Sequence, residues 1–316
     1  MDIVACADKN NIMPTGVMIC SICVNNQDKE IAFHIIIDKD VSDMDCRELN
    51  EVITPFKNKN ITIYHISAQI LGNLFPNINT RIPRAAYFRL YLTELLPQTI
   101  EKVLYLDGDT IVRHSLDELW NADLSCFALA AVPDMRTGTI DRYNRLRYPS
   151  TMGYFNSGVL LINLKFWRDN QVLKVFTDYI SSHRDEIFAH DQDVLNYVFR
   201  GLKKHLPIKY NFQHGYLWKE PLYDYWKYEK EVLEARKDPV ILHFTSGNKP
   251  WVKYQPDPHP FCSSFYKYQN MTKWKGVRID NRSIKTRIRT FVGDILRWMK
   301  VRPTVKNDFI EIEPID

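Results

Sequence analysis

The sequence has no apolar stretch approaching the length needed to span a bilayer. Its start, Met1-Asp2-Ile3-Val4-Ala5-Cys6-Ala7, has no basic segment followed by an apolar one, so it reads as a first strand rather than a secretion signal. These two absences give a cytoplasmic location as the expectation. Neither Gly-x-Gly-x-x-Gly nor Gly-x-x-x-x-Gly-Lys occurs, which excludes a dinucleotide fingerprint and a P-loop. Any bound phosphate must therefore be neutralised by other groups. There are six cysteines, and the one Cys-x-x-Cys, Cys20 and Cys23, has no second Cys/His pair at ligand spacing. It reads as helix packing in a reducing compartment. No internal repeat or low-complexity segment is present.

What remains is ordinary globular composition: 316 residues, 45% hydrophobic and 25% charged. That is enough for one large or two modest domains. The net charge of +4 is unevenly placed. Ten basic residues stand between Lys273 and Arg302 against Asp280 and Asp294, a local charge of +8 that leaves −4 for the rest. Such a split points the tail toward an anionic surface. Within it Ile284, Ile288, Phe291, Ile295 and Trp298 recur at steps of four and three, one face of a helix. A basic amphipathic helix carrying Trp over 283–302 reads as an anchor on an anionic membrane surface. The competing reading packs that stripe on the main domain. No nucleic-acid recognition motif accompanies the charge.

Strand-like and helix-like patterns alternate along the first half. Strands are expected at 2–7, 31–38, 61–66 and 102–106, and helices at 11–24, 42–56 and 84–95. Later strands are expected at 127–132, 158–163 and 239–243, with helices at 165–183 and 192–199. This alternation implies an α/β fold with a mostly parallel, doubly wound sheet. Prolines cluster between Pro250 and Pro260 and mark a boundary. The expected division is a catalytic domain over 1–255, a basic helical extension over 256–302 and a frayed tail over 303–316.

The segment Val103-Leu104-Tyr105-Leu106-Asp107-Gly108-Asp109 ends an apolar run in two carboxylates. Ligands of α/β sheets bind beyond the carboxyl ends of strands, and carboxylate oxygens suit Mg²⁺ or Mn²⁺. Val240-Ile241-Leu242 delivers His243 at a strand end, followed by small residues and Lys249. An imidazole is a good third ligand beside two carboxylates, and Lys249 offers a point charge to phosphate. Asp8, Lys9, Asn10 and Asn11 follow the first strand and read either as base- or ribose-binding groups or as a turn. Asn156 and Asp191 read either as sugar-binding groups or as a turn residue and a helix cap.

In order along the chain, Asp2-Ile3-Val4 with Asp8, Arg84-Ala85-Ala86-Tyr87-Phe88-Arg89-Leu90, Tyr105-Leu106-Asp107-Gly108-Asp109, Phe155-Asn156-Ser157-Gly158-Val159, Asp191-Gln192-Asp193 and His243-Phe244-Thr245 with Lys249-Pro250-Trp251 resemble glycosyltransferase family 8. The resemblance runs from Met1 to about Trp251 and continues more loosely from Phe265 to Gly276. It implies a Rossmann-like nucleotide-sugar transferase fold of the GT-A type and a retaining, UDP-sugar-dependent hexosyltransferase. Asp107, Asp109 and His243 match its metal ligands, usually for Mn²⁺ with Mg²⁺ as the other candidate. Cys6, Asp8, Asn10 and Gly108 match nucleotide positions, with Arg81 and Ile82 more loosely, and Ser246 and Lys249 match the diphosphate contacts. Arg89, Asp134, Asn156, Ser157, Asp191 and Gln192 match residues around the transferred sugar. Ser246 departs from the family, which more often has Gly there, and Arg81 stands where relatives can carry His.

The expected partners are UDP-galactose or UDP-glucose and a saccharide acceptor, lipid-linked in lipopolysaccharide or another surface glycan. Asp191 is the matched carboxylate for a double displacement, and Gln192, a weak nucleophile, suits front-face attack with stabilisation of the cationic sugar. Front-face attack is the expectation. Two other readings are a nucleotidyltransferase acting on sugar phosphates and a non-catalytic, membrane-associated scaffold of the same fold.

Overall fold

The computed structural model describes residues 1–66, 85–136, 139–220, 222–254, 259–280, 282–299 and 309. Ten strands are found among them: β1 (Asp2–Ala7), β2 (Ile31–Ile37), β3 (Lys59–His65), β4 (Lys102–Leu106), β5 (Thr110–Val112), β6 (Leu129–Pro133), β7 (Phe155–Asn163), β8 (Lys203–His205), β9 (Phe212–Gln213) and β10 (Ile241–His243). Seven form one sheet in the order β3-β2-β1-β4-β7-β6-β8. The first four are mutually parallel. β7 runs antiparallel to both its neighbours, and β6 pairs parallel with β8. The sheet is therefore mostly parallel with one reversed strand, a GT-A-type α/β architecture.

Side-chain alternation along the strands divides the interior. Ile3, Ala5, Ala7, Leu104 and Leu106 face one core together with the helix Ile12–Asn25. Val4, Cys6, Val103 and Tyr105 face the other. That second core is closed by Trp167, Phe176 and Phe199, whose ring centroids lie 5.2 to 5.6 Å apart. A Phe176→Ala cavity there would cost about 3–5 kcal/mol. Cys20 and Cys23 are buried free thiols on the first helix.

Several expected elements differ. The single helix expected over 165–183 is two, Leu164–Asp169 and Val172–Ser182. Gln171 takes a left-handed conformation (φ +48°) between them, a state that breaks α-helix continuity. The helix expected over 84–95 is broken, among its described residues, into Ala85–Phe88, a 3₁₀ turn at Arg89–Tyr91, and Leu92–Leu95. Its end at Leu96 is extended, as the residue before Pro97 prefers. The helix expected over 42–56 runs Asp43–Ile53, opened by a reciprocal capping box between Ser42 and Asp45. The sequence reading missed the helices Ile140–Leu146 and Tyr225–Lys237.

A second, three-stranded sheet, β5-β10-β9, stands beyond the end of β4. β10 pairs antiparallel with β5, so that His243 lies opposite Thr110, and parallel with β9, so that His243 lies opposite Gln213. This register carries the histidine to the turn between β4 and β5.

Candidate active site

The turn between β4 and β5 holds Asp107, Gly108 and Asp109. Thr110 closes it, its N–H donating to the Asp107 carbonyl at 3.1 Å and its hydroxyl at 2.8 Å. A Cβ at Gly108 would fall 2.3 Å from Thr15 Oγ1, so this position has no room for a side chain. Phe244 N–H donates to the Asp109 carbonyl and ties the β10 end to the same turn. Ligand atoms of Asp107, Asp109 and His243 all lie within 4.8 Å of one another.

The hydrogen-bond network fixes which nitrogen of His243 faces this group. Gly158 N–H, a backbone donor, donates to Asn156 Oδ1 at 3.0 Å. Asn211 Nδ2 donates to that same oxygen at 2.9 Å. Asn211 Oδ1 then faces His243 Nδ1, also at 2.9 Å, so Nδ1 carries a proton. His243 Nε2 points to Asp109 Oδ1 at 3.1 Å and Asp107 Oδ2 at 3.8 Å. Asp109 Oδ1 is buried and accepts no hydrogen bond. Two carboxylate oxygens and an imidazole nitrogen thus converge with nothing to join them, an arrangement that fits a hard divalent cation.

Positive charge also flanks the group. Lys249 Nζ lies 2.6 Å from Asp109 Oδ2 and donates to the Phe244 carbonyl. Burial alone would raise the Asp109 carboxyl, but the Lys249 ammonium beside it reverses this and holds it well below its usual range. Arg89, buried, donates to Asp107 Oδ1 at 2.8 Å and to the Ser157 carbonyl at 2.5 Å. Its Nε is 3.1 Å from Asp191 Oδ2 without the alignment of a hydrogen bond. Burial pushes the Asp191 carboxyl up to about 6, against the opposing pull of Arg89.

Beside the triad lies an amide–carboxylate cluster. Gln192 Oε1 accepts from Ser157 N–H at 3.0 Å and Asn156 Nδ2 at 3.2 Å. Gln192 Nε2 donates to Asp134 Oδ2 and to Tyr154 Oη, each at 3.3 Å. Asp134 also accepts from Arg142 and from Arg136 N–H, each at 3.0 Å. The structure therefore gathers Arg89, Asp134, Asn156, Ser157, Asp191 and Gln192 in one place beside Asp107, Asp109 and His243.

The other candidates are placed more variously. Cys6 is the penultimate residue of β1, its thiol pushed up to about 12 by burial, so it stays protonated. Asp8 caps the following 3₁₀ turn through the backbone of Asn10 and Asn11. Ser246 Oγ accepts from Asn248 N–H. Arg81 and Ile82 lie outside the described residues. The sequence reading missed Asn211, Tyr105, Tyr154 and Arg142. Asn211 and Gln213 flank Phe212 and are both fully buried, and two fully buried amides one residue apart are a signal of internal wiring.

Comparison with known proteins supplies an independent line. The family model for glycosyl transferase family 8 matches residues 2–255. General stress protein A of Bacillus subtilis (strain 168) is 29% identical over 283 residues, 88% of this chain and 96% of that protein. The lipopolysaccharide 1,2-glucosyltransferase of Escherichia coli (strain K12) is 31% identical over 252 residues, 78% of this chain and 71% of that one. A crystal structure of galactosyltransferase LgtC, in complex with donor and acceptor sugar analogs, superposes with a TM-score of 0.75 at 26% identity, covering 91% of this chain and 99% of that one.

Proposed function

The chain belongs to glycosyltransferase family 8, and from that premise we propose that it moves galactose or glucose from a UDP-sugar to a saccharide acceptor, with retention at the anomeric carbon. The observation that carries this reading is the junction of the Asp107/Asp109/His243 triad with the Asp134/Asn156/Gln192 cluster through Asn211. One half suits a metal-bound diphosphate and the other suits sugar hydroxyls. We take residues 1–255 as the catalytic unit, with Mn²⁺ or Mg²⁺ held by the triad. When bound, that ion would stabilise charge developing on the departing diphosphate.

The chain's own residues supply the rest. Lys249 stands beside Asp109, where an ammonium can meet a phosphate oxygen. Gln192 is held by five hydrogen bonds, so its amide is already oriented when the sugar becomes cationic. Asp134 and Asn156 present acceptor and donor groups to hydroxyls. Asp191 is set against buried Arg89, which suits charge balance better than nucleophilic attack. This favours front-face transfer, with the acceptor's proton passing to the leaving phosphate. The acceptor we propose is lipid-linked, as in lipopolysaccharide or another surface glycan, and reached from the cytoplasmic face.

The tail supports that location. The helix Ile284–Trp298 leaves Ile284, Ile288, Phe291 and Trp298 exposed rather than packed on the body. No described helix is long and apolar enough to cross a membrane. We assign 283–302 to a peripheral contact with anionic lipid. Phe291→Ser with Trp298→Ser should abolish co-flotation of the full chain with anionic liposomes, and unchanged flotation would overturn this assignment.

The decisive test of the activity is UDP release from a panel of UDP-sugars, with and without Mn²⁺ and without acceptor. Mn²⁺-dependent release from UDP-galactose or UDP-glucose supports the reading. Absence of both release and UDP binding in the presence of Mn²⁺ would overturn it.

A further inference from the structure

A cavity of about 420 Å³ lies at the β8 edge of the main sheet, lined by none of the triad or of Asp134, Asn156 and Gln192. Tyr154, whose hydroxyl accepts from Gln192, lines it as well and stands between it and the sugar-facing cluster. Its volume falls within the range of small-molecule sites. The lining is strongly basic: Arg200, Lys203, Lys204 and Lys227 against one carboxylate, Glu231. That carboxylate is already engaged by His205 at 2.9 Å and by Ile208 N–H at 3.2 Å.

None of the four cations is within ion-pair distance of a carboxylate among the described residues. Lys203 Nζ donates to the Gly153 and Arg200 carbonyls at 3.1 and 3.0 Å, and Lys204 Nζ to the Asp123 carbonyl at 3.0 Å. Lys227 rests 5.3 Å from the centre of the Tyr228 ring. Burial, with some help from Lys227, lowers the Lys203 ammonium to about 8. Half-buried Lys203 and exposed Lys227 find only carbonyls and a ring, so both retain uncompensated charge that a matching anion can meet.

We infer that this cavity is a second ligand site, for a phosphate ester of a saccharide, with the phosphate between Lys203 and Lys227 and the rest of the ligand in the cavity beside them. Lysine suits a phosphate monoester as a point charge. A free sugar phosphate and a phosphate on an acceptor glycan share this chemistry. The inference stands apart from the donor reading, because none of the triad lines the cavity.

Isothermal titration with EDTA present, at low salt, tests it with mannose, mannose 6-phosphate and pentamannose 6-phosphate. Mannose 6-phosphate should bind at least tenfold more tightly than mannose. Lys203→Met and Lys227→Ala should each weaken it about tenfold while leaving UDP release unchanged. Tighter binding of the pentasaccharide would assign the site to a phosphorylated glycan, and tighter binding of the monosaccharide to a free sugar phosphate. If Lys203→Met fails to fold, the exposed Lys227 side chain carries the test. No preference for phosphate, or binding indifferent to Lys227→Ala, would overturn the inference.

Discussion

The two halves of the candidate site are built on opposite principles. Around Gln192 the protein answers its own polar groups: both amide atoms are paired, and Asp134 is held by Arg142, Arg136 and Asn156. Around Asp109 it does not. Asp109 Oδ1 is buried without a hydrogen-bond donor, and the imidazole nitrogen nearest it offers a lone pair. A buried polar group left unmatched costs about 1–3 kcal/mol, so it persists where a ligand is to supply the partner. The paired half is held by its own hydrogen bonds, and the unpaired half is the one the proposed cation would complete.

The sharpest way to break this contrast is to remove the unpaired half. Asp109→Asn should lower Mn²⁺-dependent UDP release about 10³-fold, since metal stabilisation of the leaving group is worth several kcal/mol. Steady-state rates with titrated Mn²⁺ check this, and near-normal turnover would contradict the proposed metal role. Gly158→Ala attacks the same half without replacing any member of the triad. A Cβ there would lie 2.2 Å from His243 Cε1 and 2.8 Å from Asp107 Oδ2. Displacing ligands by about an ångström costs roughly 10²-fold in rate. Both numbers should move together with Mn²⁺ affinity, measured by titration calorimetry.

The contrast also explains what was legible in the sequence. The paired acids of the β4 turn and His243 at a strand end stand beside apolar runs, so local pattern exposes them. So do the strands β1, β2 and β4. Asn211 has no local signal of its own role, because its meaning comes from β9 lying parallel to β10, a pairing between strands 28 residues apart or more in sequence. The reversal of β7 is likewise a matter of which edge a strand joins. The break at Gln171 was hidden because periodicity continues across it. The paired half of the site is harder to read than the unpaired half for the same reason: its residues signify through one another.

Asn211 joins the halves, and its loss should produce a smaller effect on both. Asn211→Leu removes the acceptor that holds His243 Nδ1–H and the donor to Asn156. Groups that orient a metal-bound histidine are typically worth 10–100-fold in metal affinity or activity. The expected result is a loss of that size in Mn²⁺ affinity, partly rescued by excess Mn²⁺, with a further rise in KM for the UDP-sugar. Rescue by metal alone, with KM unchanged, would show that Asn211 serves only the unpaired half.

The smallest effect separates two carboxylates by sign. Asp191 titrates near 6 in the folded protein because burial outweighs Arg89, whereas a carboxyl in the unfolded chain titrates near 3.8. The folded state therefore binds the proton more tightly. The ionised form costs stability above about pH 6, the cost shrinks as pH falls from 6 toward 4, and it vanishes below the unfolded value. In the metal-free protein Asp191→Asn should raise stability at pH 8 by on the order of 1–3 kcal/mol. The gain should fade by about pH 4. Asp109 is shifted the other way, held low by Lys249, so Asp109→Asn should lower stability at pH 8 and leave Lys249 without that carboxylate. Denaturant melts of both variants in EDTA at pH 4 and pH 8 read the two signs directly. Equal destabilisation by both would mean that Arg89 needs Asp191 ionised, and the assignment of Asp191 to charge balance would gain a structural purpose beside its place near the sugar.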